Sequence, residues 1–347
     1  MKTNGSPATL SDVARKAGVG ITTVSRVVNG GEQVSAQTLL RVNKVIQQMG
    51  FIPNQAARVL KGERTRIIGL LIPSIADPFF SACAEAAQQI ARANDSLLIV
   101  MGSNNDPRME MENIRLLLRH RADGFLLVPA NDQNSELAAF LDSMNVPAIA
   151  FDRPVSSSRI GAVVVDNLEG AYKATQHLIQ HGHQRILCLC GESQLYTLRE
   201  RIRGYRKAME EAGLPCVFDM TVKDYRSAEY AIDSHLSSNH PPDAILTLKN
   251  STTIYAFETL QKLEVAVPQK IALIGFDDFE LASTLRPSIS VIQQPAEDLG
   301  RVAAELLFEE ILNRRKSKRT GPPRQGTQVR LESRLVLRAS CGCKVAR

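Results

Sequence analysis

Eight short apolar runs recur between residues 67 and 278, each followed by an amphipathic stretch. They are IIGLLIP (67–73), SLLIVMG (96–102), GFLLVP (124–129), PAIAFD (147–152), AVVVDN (162–167), RILCLCG (185–191), DAILTL (243–248) and KIALIGFDD (270–278). A strand buried on both faces shows no polar alternation, so such runs between helices specify parallel sheets covered on both sides. Eight units over the 281 residues from 67 to 347 suit two doubly wound lobes better than one. No run of about 18 apolar residues is present, so no membrane-spanning helix is expected. Met1–Pro7 is polar and lacks the apolar segment of a signal peptide, so a cytoplasmic location is expected.

The first fifth of the chain has a different character. Residues 1–66 hold ten Lys or Arg against three acids, and the remainder holds 32 basic against 33 acidic side chains. The whole excess of positive charge therefore sits on one module, whose natural partner is a polyanion. That module is patterned. Thr9-Leu10-Ser11-Asp12 has the form of a capping box, and Leu10, Val13, Ala14 and Ala17 follow on one helical face. Gly18 can end this helix in the left-handed conformation. A second helix is expected from Ile21 to Val28, stopping before Asn29-Gly30-Gly31. Ser35 opens a third, with Leu39, Val42, Ile46 and Met49 on one face and Gly50 at its end. Short helices joined by a three-residue turn match a helix-turn-helix, whose second helix lies in the major groove of DNA.

That geometry gives the polar face of the second helix a purpose. Arg26 can bond guanine O6 and N7 in bidentate fashion, and Ile21 or Thr22 can meet a thymine methyl. Thr23, Ser25 and Asn29 suit phosphate contacts, which position without specifying. Beyond Pro53, Asn54 can cap a further helix that Gly62 ends. So short a helix is marginal alone in water, and it should form when a second copy or DNA buries Ala56, Ala57 and Leu60.

The stretch "TLSDVARKAGVGITTVSRVVNG…VSAQTLLRVNKVIQQMGFIPNQAARVLKG" resembles the DNA-binding headpiece and hinge of the LacI/GalR family of bacterial transcription regulators. The likeness continues through "FDRP", "VDN", "HLIQHGHQRI", "RIRGYRKAMEEAGL", "IGFDD" and "LVLRASC". It implies a headpiece over 1–52, a hinge over 53–66 and a two-lobed effector-binding and dimerisation body over 67–347, like that of periplasmic sugar-binding proteins. It implies a homodimer on a palindromic operator, with Asn54, Ala57 and Leu60 at the minor groove and Leu60 wedged into a base step. It also implies an effector between the lobes, a sugar or sugar derivative, whose occupancy controls DNA binding. Gly20 stands where the family usually has a serine cap, a tolerable exchange.

Open α/β sheets bind ligands beyond the carboxyl ends of their strands, where Asp77, Asp152, Asp166, Asn250 and Asp277 fall. Each alone could be a helix cap. By resemblance, Asp152, Arg201, Asn250 and Asp277 match effector-binding positions, and Asp77 joins them by its place. Phe79 and Phe80 can supply an apolar wall or belong to the core. Family members often set an aromatic against the sugar; with no tryptophan here, Tyr225 is the candidate. Asn250-Ser251 replaces the frequent Asn-Asp, which leaves one acid fewer.

The six cysteines are expected to be free thiols. Cys341-Gly-Cys343 has no matching ligand pair beside it in sequence and His181-Gly-His183 sits in a turn, so no metal site and no cofactor are expected. The basic run RRKSKR (314–319) reads as a solvated loop. The four residues after Cys343 leave no room for a tetramerising leucine heptad. A transport receptor would share the lobes but have no use for the headpiece. An NAD-type enzyme would need a glycine-rich turn after a strand, whereas Gly18-Val19-Gly20 lies between helices. No Ser/His/Asp or metal-ligand constellation with supporting context stands out either, so the expectation is a non-enzymatic regulator.

Overall fold

The computed structural model describes residues 8–28, 30, 33–51, 64–144, 146–157, 159–191, 194–316 and 326–343. The chain divides into two compact units, 1–65 and 66–347.

In the first unit α1 (Leu10–Ala17), α2 (Ile21–Val28) and α3 (Ala36–Met49) form a small bundle. The capping box closes as expected: the Asp12 amide donates to Thr9 Oγ1 at 3.3 Å and the Thr9 amide to Asp12 Oδ2 at 3.1 Å. Gly18 takes φ 64° and ends α1, and Ser35 and Gly50 cap α3. Val13, Ala14 and Ala17 pack with Val24, Val27, Val42, Val45 and Phe51 into one apolar cluster. Val45 was absent from the expected face of α3, while Leu39, Ile46 and Met49 pack against the cluster's edge.

The second unit holds two six-stranded sheets. Its strands are β1 (Ile67–Ile72), β2 (Leu97–Gly102), β3 (Gly124–Leu127), β4 (Ala148–Phe151), β5 (Gly161–Val165), β6 (Ile186–Leu189), β7 (Val217–Asp219), β8 (Ala244–Thr247), β9 (Ala272–Phe276), β10 (Ser290–Gln293), β11 (Gln328–Leu331) and β12 (Arg334–Val336). The helices are α4 (Pro78–Ala93), α5 (Pro107–Arg119), α6 (Ser135–Met144), α7 (Asn167–Gln180), α8 (Tyr196–Glu211), α9 (Tyr225–Leu236), α10 (Asn250–Lys262) and α11 (Ala296–Lys316).

The first sheet runs β11-β5-β4-β3-β1-β2 and is parallel throughout. The second runs β12-β10-β9-β8-β6-β7, with β12 alone antiparallel. Both lobes therefore have the same doubly wound order, whose ligand side is the carboxyl end of the strands. The eight expected runs became β1–β6, β8 and β9. The chain crosses between lobes three times, from β5 to α7, from β10 to α11 and from β11 to β12. Two crossings are tied together, since the Asp166 carboxylate accepts from the Ser333 amide at 2.7 Å.

The basic run is not a loop throughout: α11 continues to Lys316, and Arg314 pairs with Glu310 one turn back. An i,i+4 pair of this sign supports the last turn of a helix.

Each lobe has one helix pair in near contact, and a glycine permits it. A Cβ on Gly204 would lie 2.1 Å from the Leu168 carbonyl oxygen, between α8 and α7. One on Gly300 would lie 2.0 Å from the Cys83 carbonyl oxygen, between α11 and α4. Backbone cannot yield as a flexible side chain can. Gly300→Ala should therefore lower unfolding free energy by ~1–3 kcal/mol, the usual cost of overpacking. Urea melts of both proteins check this; an unchanged midpoint would show that α4 and α11 can separate freely.

Candidate functional site

The site is built where the sheets end. Asp152 follows β4 and Asp277 follows β9, and both take left-handed backbone, with φ of 63° and 70°. Their amides make matching bonds: Asp152 N donates to Val163 O of β5, and Asp277 N to Ile292 O of β10, each at 2.9 Å. Left-handed backbone is uncommon for residues with a side chain, though Asp and Asn tolerate it. Both carboxylates are buried.

Arg201, on the buried face of α8, pairs with the second of them. Its Nε donates to Asn167 Oδ1 at 2.7 Å, and one terminal nitrogen donates to the Leu248 carbonyl at 2.7 Å. The guanidinium carbon stacks 3.6 Å from the centre of the Phe276 ring. The same terminal nitrogen stands 3.8 Å from Asp277 Oδ2. Asp152 feels the charges of both Arg201 and Asp277, so acids from two lobes act on one guanidinium.

Burial sets the electrostatics. It pushes the Asp277 carboxyl above its ordinary value, more than Arg201 and the hydrogen bond from Gln294 pull it down. Asp152 is raised in the same way, against Arg153 and Arg201. Arg201 is lowered by burial despite Asp277 and Asp152. Desolvation thus outweighs the pairing at Asp152, Arg201 and Asp277, the expected sign for buried ion pairs. Glu110 stands nearby in chemistry: burial raises it to about 7, against the Ala130 amide and Arg153.

The remaining sequence candidates divide. Asp77 caps α4 through the Phe79 amide at 3.1 Å, yet its charge also reaches Asp277 and Cys83. Phe79 lines a cleft of about 690 Å³, whereas Phe80 belongs to the core. Asp277 and Gln294 line the same cleft, and Asp152 and Arg201 do not. Asn250 opens α10, its side chain accepting from the Ser251 amide, and neighbouring Lys249 acts on Asp277. Asp166 makes no side-chain cap and serves the crossing instead. Tyr225 is not gathered with these groups. Its ring lies 5.9 Å from the Lys262 ammonium, at the end of α10 opposite Asn250 and about 18 Å along that helix.

Three polar residues complete the cluster that the sequence reading did not single out. Arg153 is buried, 3.2 Å from Asp152, and donates to Asn105 Oδ1 at 2.6 Å and to the Pro129 carbonyl at 3.1 Å. Gln294 donates to Asp277, and Asn167 orients Arg201. Among the described residues, Gln294 Oε1 is buried without a hydrogen-bond partner, while the buried Arg153 Nε is the atom that pairs with Asp152. The "FDRP" motif held Arg153 in plain view, next to the aspartate that was chosen.

In the headpiece, Ile21, Thr22 and Arg26 are exposed, and Thr23 and Ser25 are half-buried. Ile21 keeps 53% of its surface in solvent. Val24 and Val27, on the opposite face, are buried. Asn29, Asn54, Ala57 and Leu60 lie outside the described residues.

A helix-turn-helix headpiece and a two-lobed body with charged groups at its cleft define a ligand-gated DNA-binding regulator. Residues 9–54 match the family of bacterial regulatory proteins of the lacI type, and residues 65–331 match the periplasmic binding proteins and sugar-binding domain of the LacI family. The chain belongs to the LacI family. It is 33% identical over 316 residues to the transcriptional repressor PurR of Vibrio parahaemolyticus serotype O3:K6 (strain RIMD 2210633), covering 90% of this chain and 94% of the relative. To the transcriptional regulator DegA of Bacillus subtilis (strain 168) it is 30% identical, covering 84% and 88%. The structure of a Lac repressor dimer bound to operator and the anti-inducer ONPF superimposes with a TM-score of 0.85 at 25% identity, covering 97% and 99%. A complex of the regulator CelR with cellobiose gives a TM-score of 0.69 at 28% identity, covering 96% and 99%. The protein is a transcriptional regulator and not an enzyme. No described helix is long and apolar enough to cross a membrane.

The raised Asp277 carboxyl has a measurable consequence. A folded pKa above the unfolded one means stability present at low pH and lost as pH rises through the carboxylate range. Asparagine keeps the shape, accepts the left-handed backbone and carries no charge. Asp277→Asn should thus raise the melting temperature of the ligand-free protein at pH 7, with the gain vanishing near about pH 4. A variant less stable at pH 7 would show that attraction to Arg201 outweighs burial.

Proposed function

We propose that this protein is a carbohydrate-responsive repressor that acts in the cytoplasm as a homodimer on a palindromic operator. The observation that carries the reading is the cluster of Asp152, Arg153, Arg201, Asp277 and Gln294 at the junction of two lobes. Carboxylates, guanidinium groups and an amide bond vicinal hydroxyls in pairs, so a polyhydroxylated molecule suits them. Gln294 Oε1 lacks a hydrogen-bond partner among the described residues and is the atom a ligand hydroxyl would satisfy. Phe79 offers an apolar face for the ring's C–H groups. The similarity to CelR, solved with cellobiose, supports the ligand class, and that to a Lac repressor dimer on operator supports the assembly.

On the DNA side, α2 presents Ile21, Thr22 and Arg26 to solvent while Val24 and Val27 hold it to α1 and α3. Arg26 reads a guanine edge, and Thr23 and Ser25 position the helix on phosphates. A dimer places two such helices on inverted half-sites. Ligand occupancy shifts the lobes and changes how the headpieces can be presented; a differential affinity of ~1–3 kcal/mol between states suffices.

Two measurements test the reading. A thermal-shift screen of saccharides, sugar phosphates and nucleosides should give a saturable rise with a saccharide, absent in Arg201→Ala. A rise with nucleosides alone would replace the ligand class. In DNA binding, Arg26→Ala should cost ~1–3 kcal/mol on the specific operator and relax preference at one base pair. Equal losses on operator and random duplex would remove Arg26 from the groove.

A further inference from the structure

The far end of the second lobe gathers a group of side chains that the regulatory cleft does not use. Helix α7 ends with His177 in its last turn and His181 as its cap. A short 3₁₀ turn, Ala339–Cys341, brings the chain back beside it, and Gly342 reverses direction with φ 86°. That left-handed glycine swings Cys343 onto the helix end. The Cys343 sulfur lies 3.2 Å from His177 Nε2 and 3.3 Å from His181 Nε2. All three ligand atoms fall within 4.8 Å of one another. The imidazole rings lie 4.2 Å apart at a tilt of 38°, so both nitrogens converge on one point.

The tautomers favour metal ligation. His181 Nδ1 lies 2.8 Å from the His177 carbonyl oxygen, an acceptor, so Nδ1 carries the proton. Nε2 is then a free lone pair aimed at sulfur. A backbone carbonyl holding the far nitrogen is the usual way a metal-binding histidine is oriented. The S–N separations approach the edge of a tetrahedron around zinc, about 3.5 Å for Zn–S near 2.3 Å and Zn–N near 2.05 Å. Cys341, buried just before Gly342, stands outside this group and donates to the Arg338 carbonyl at 3.4 Å. Two imidazoles and one thiol supply three of the four ligands of a tetrahedral zinc, with the His-x₃-His spacing zinc sites use.

We propose that His177, His181 and Cys343 bind a zinc ion, its fourth position taken by solvent, that pins the 339–343 segment to the end of α7. Binding deprotonates the Cys343 thiol and releases its proton to solvent, with no change of oxidation state. The ion clamps the last turn to a helix whose other end begins at the lobe crossing through Asp166. The site lies outside the effector cleft and does not depend on which ligand that cleft takes.

The full-length chain, kept reduced with a phosphine and freed of metal by chelation, is titrated with cobalt(II). One equivalent should produce thiolate-to-cobalt charge transfer and the visible bands of tetrahedral cobalt, both abolished by one equivalent of zinc. His181→Ala and Cys343→Ser should each weaken cobalt binding more than about tenfold. Both positions are at least partly exposed, and their metal-free melting temperatures should stay close to that of the parent chain. Zinc should raise the melting temperature of the parent and leave the variants unmoved. A colourless protein, or variants that bind cobalt as tightly as the parent, would overturn the site and leave a thiol–imidazole hydrogen-bond cluster.

Discussion

Much of the body's organisation rests on one buried guanidinium. Arg201 comes from a helix of the second lobe, is stacked on Phe276 and is held by Asn167 and the Leu248 carbonyl. Its charge is answered by Asp277 at the end of β9 and by Asp152 at the end of β4 in the other lobe. Taking such groups out of water costs several kcal/mol each, and well-packed apolar residues would be cheaper. A cluster that burial holds away from its ordinary titration is therefore poor mortar. Its value is directional: it keeps donors and acceptors fixed at a cleft where a polar ligand can replace water. The two left-handed aspartates are part of that arrangement, since their backbone turns aim both carboxylates inward.

Much of this was legible in the sequence because the relevant signals are local. Apolar runs such as IIGLLI and ALIGF have no solvent face to encode, so they declare themselves as buried parallel strands. The headpiece was equally readable, because capping residues Thr9 and Ser35 and left-handed Gly18 and Gly50 act within a turn of where they stand. Strands β7, β11 and β12 carry no such signal. They are three or four residues long, lie at sheet edges and are only partly buried, and the sheet that pairs them supplies their stability. Strand β10 is four residues of SVIQ, too short to stand out despite its burial.

The site was harder to read because its members meet only in three dimensions. Asp152 and Asp277 sat at the expected strand ends, but Arg153 beside one and Gln294 opposite the other declare themselves only through their partners. Tyr225 has only its ring chemistry to suggest it, and packing sets that ring against Lys262 instead. The same limit applies to His177, His181 and Cys343. A His-x₃-His pair and a cysteine more than 150 residues further on look unrelated until α7 and the closing turn lie side by side.

The central claim, that Asp152 and Arg201 couple the two lobes through charge, is tested most directly by a double-mutant cycle. Unfolding free energies are measured by urea denaturation at pH 7 for the parent, Asp152→Asn, Arg201→Gln and the double variant. A shared buried cluster predicts an interaction energy above ~1 kcal/mol, with the double variant less perturbed than the sum of the singles. Additivity within about 0.3 kcal/mol would mean that the two charges do not act on one another, and the account of the cleft would fail.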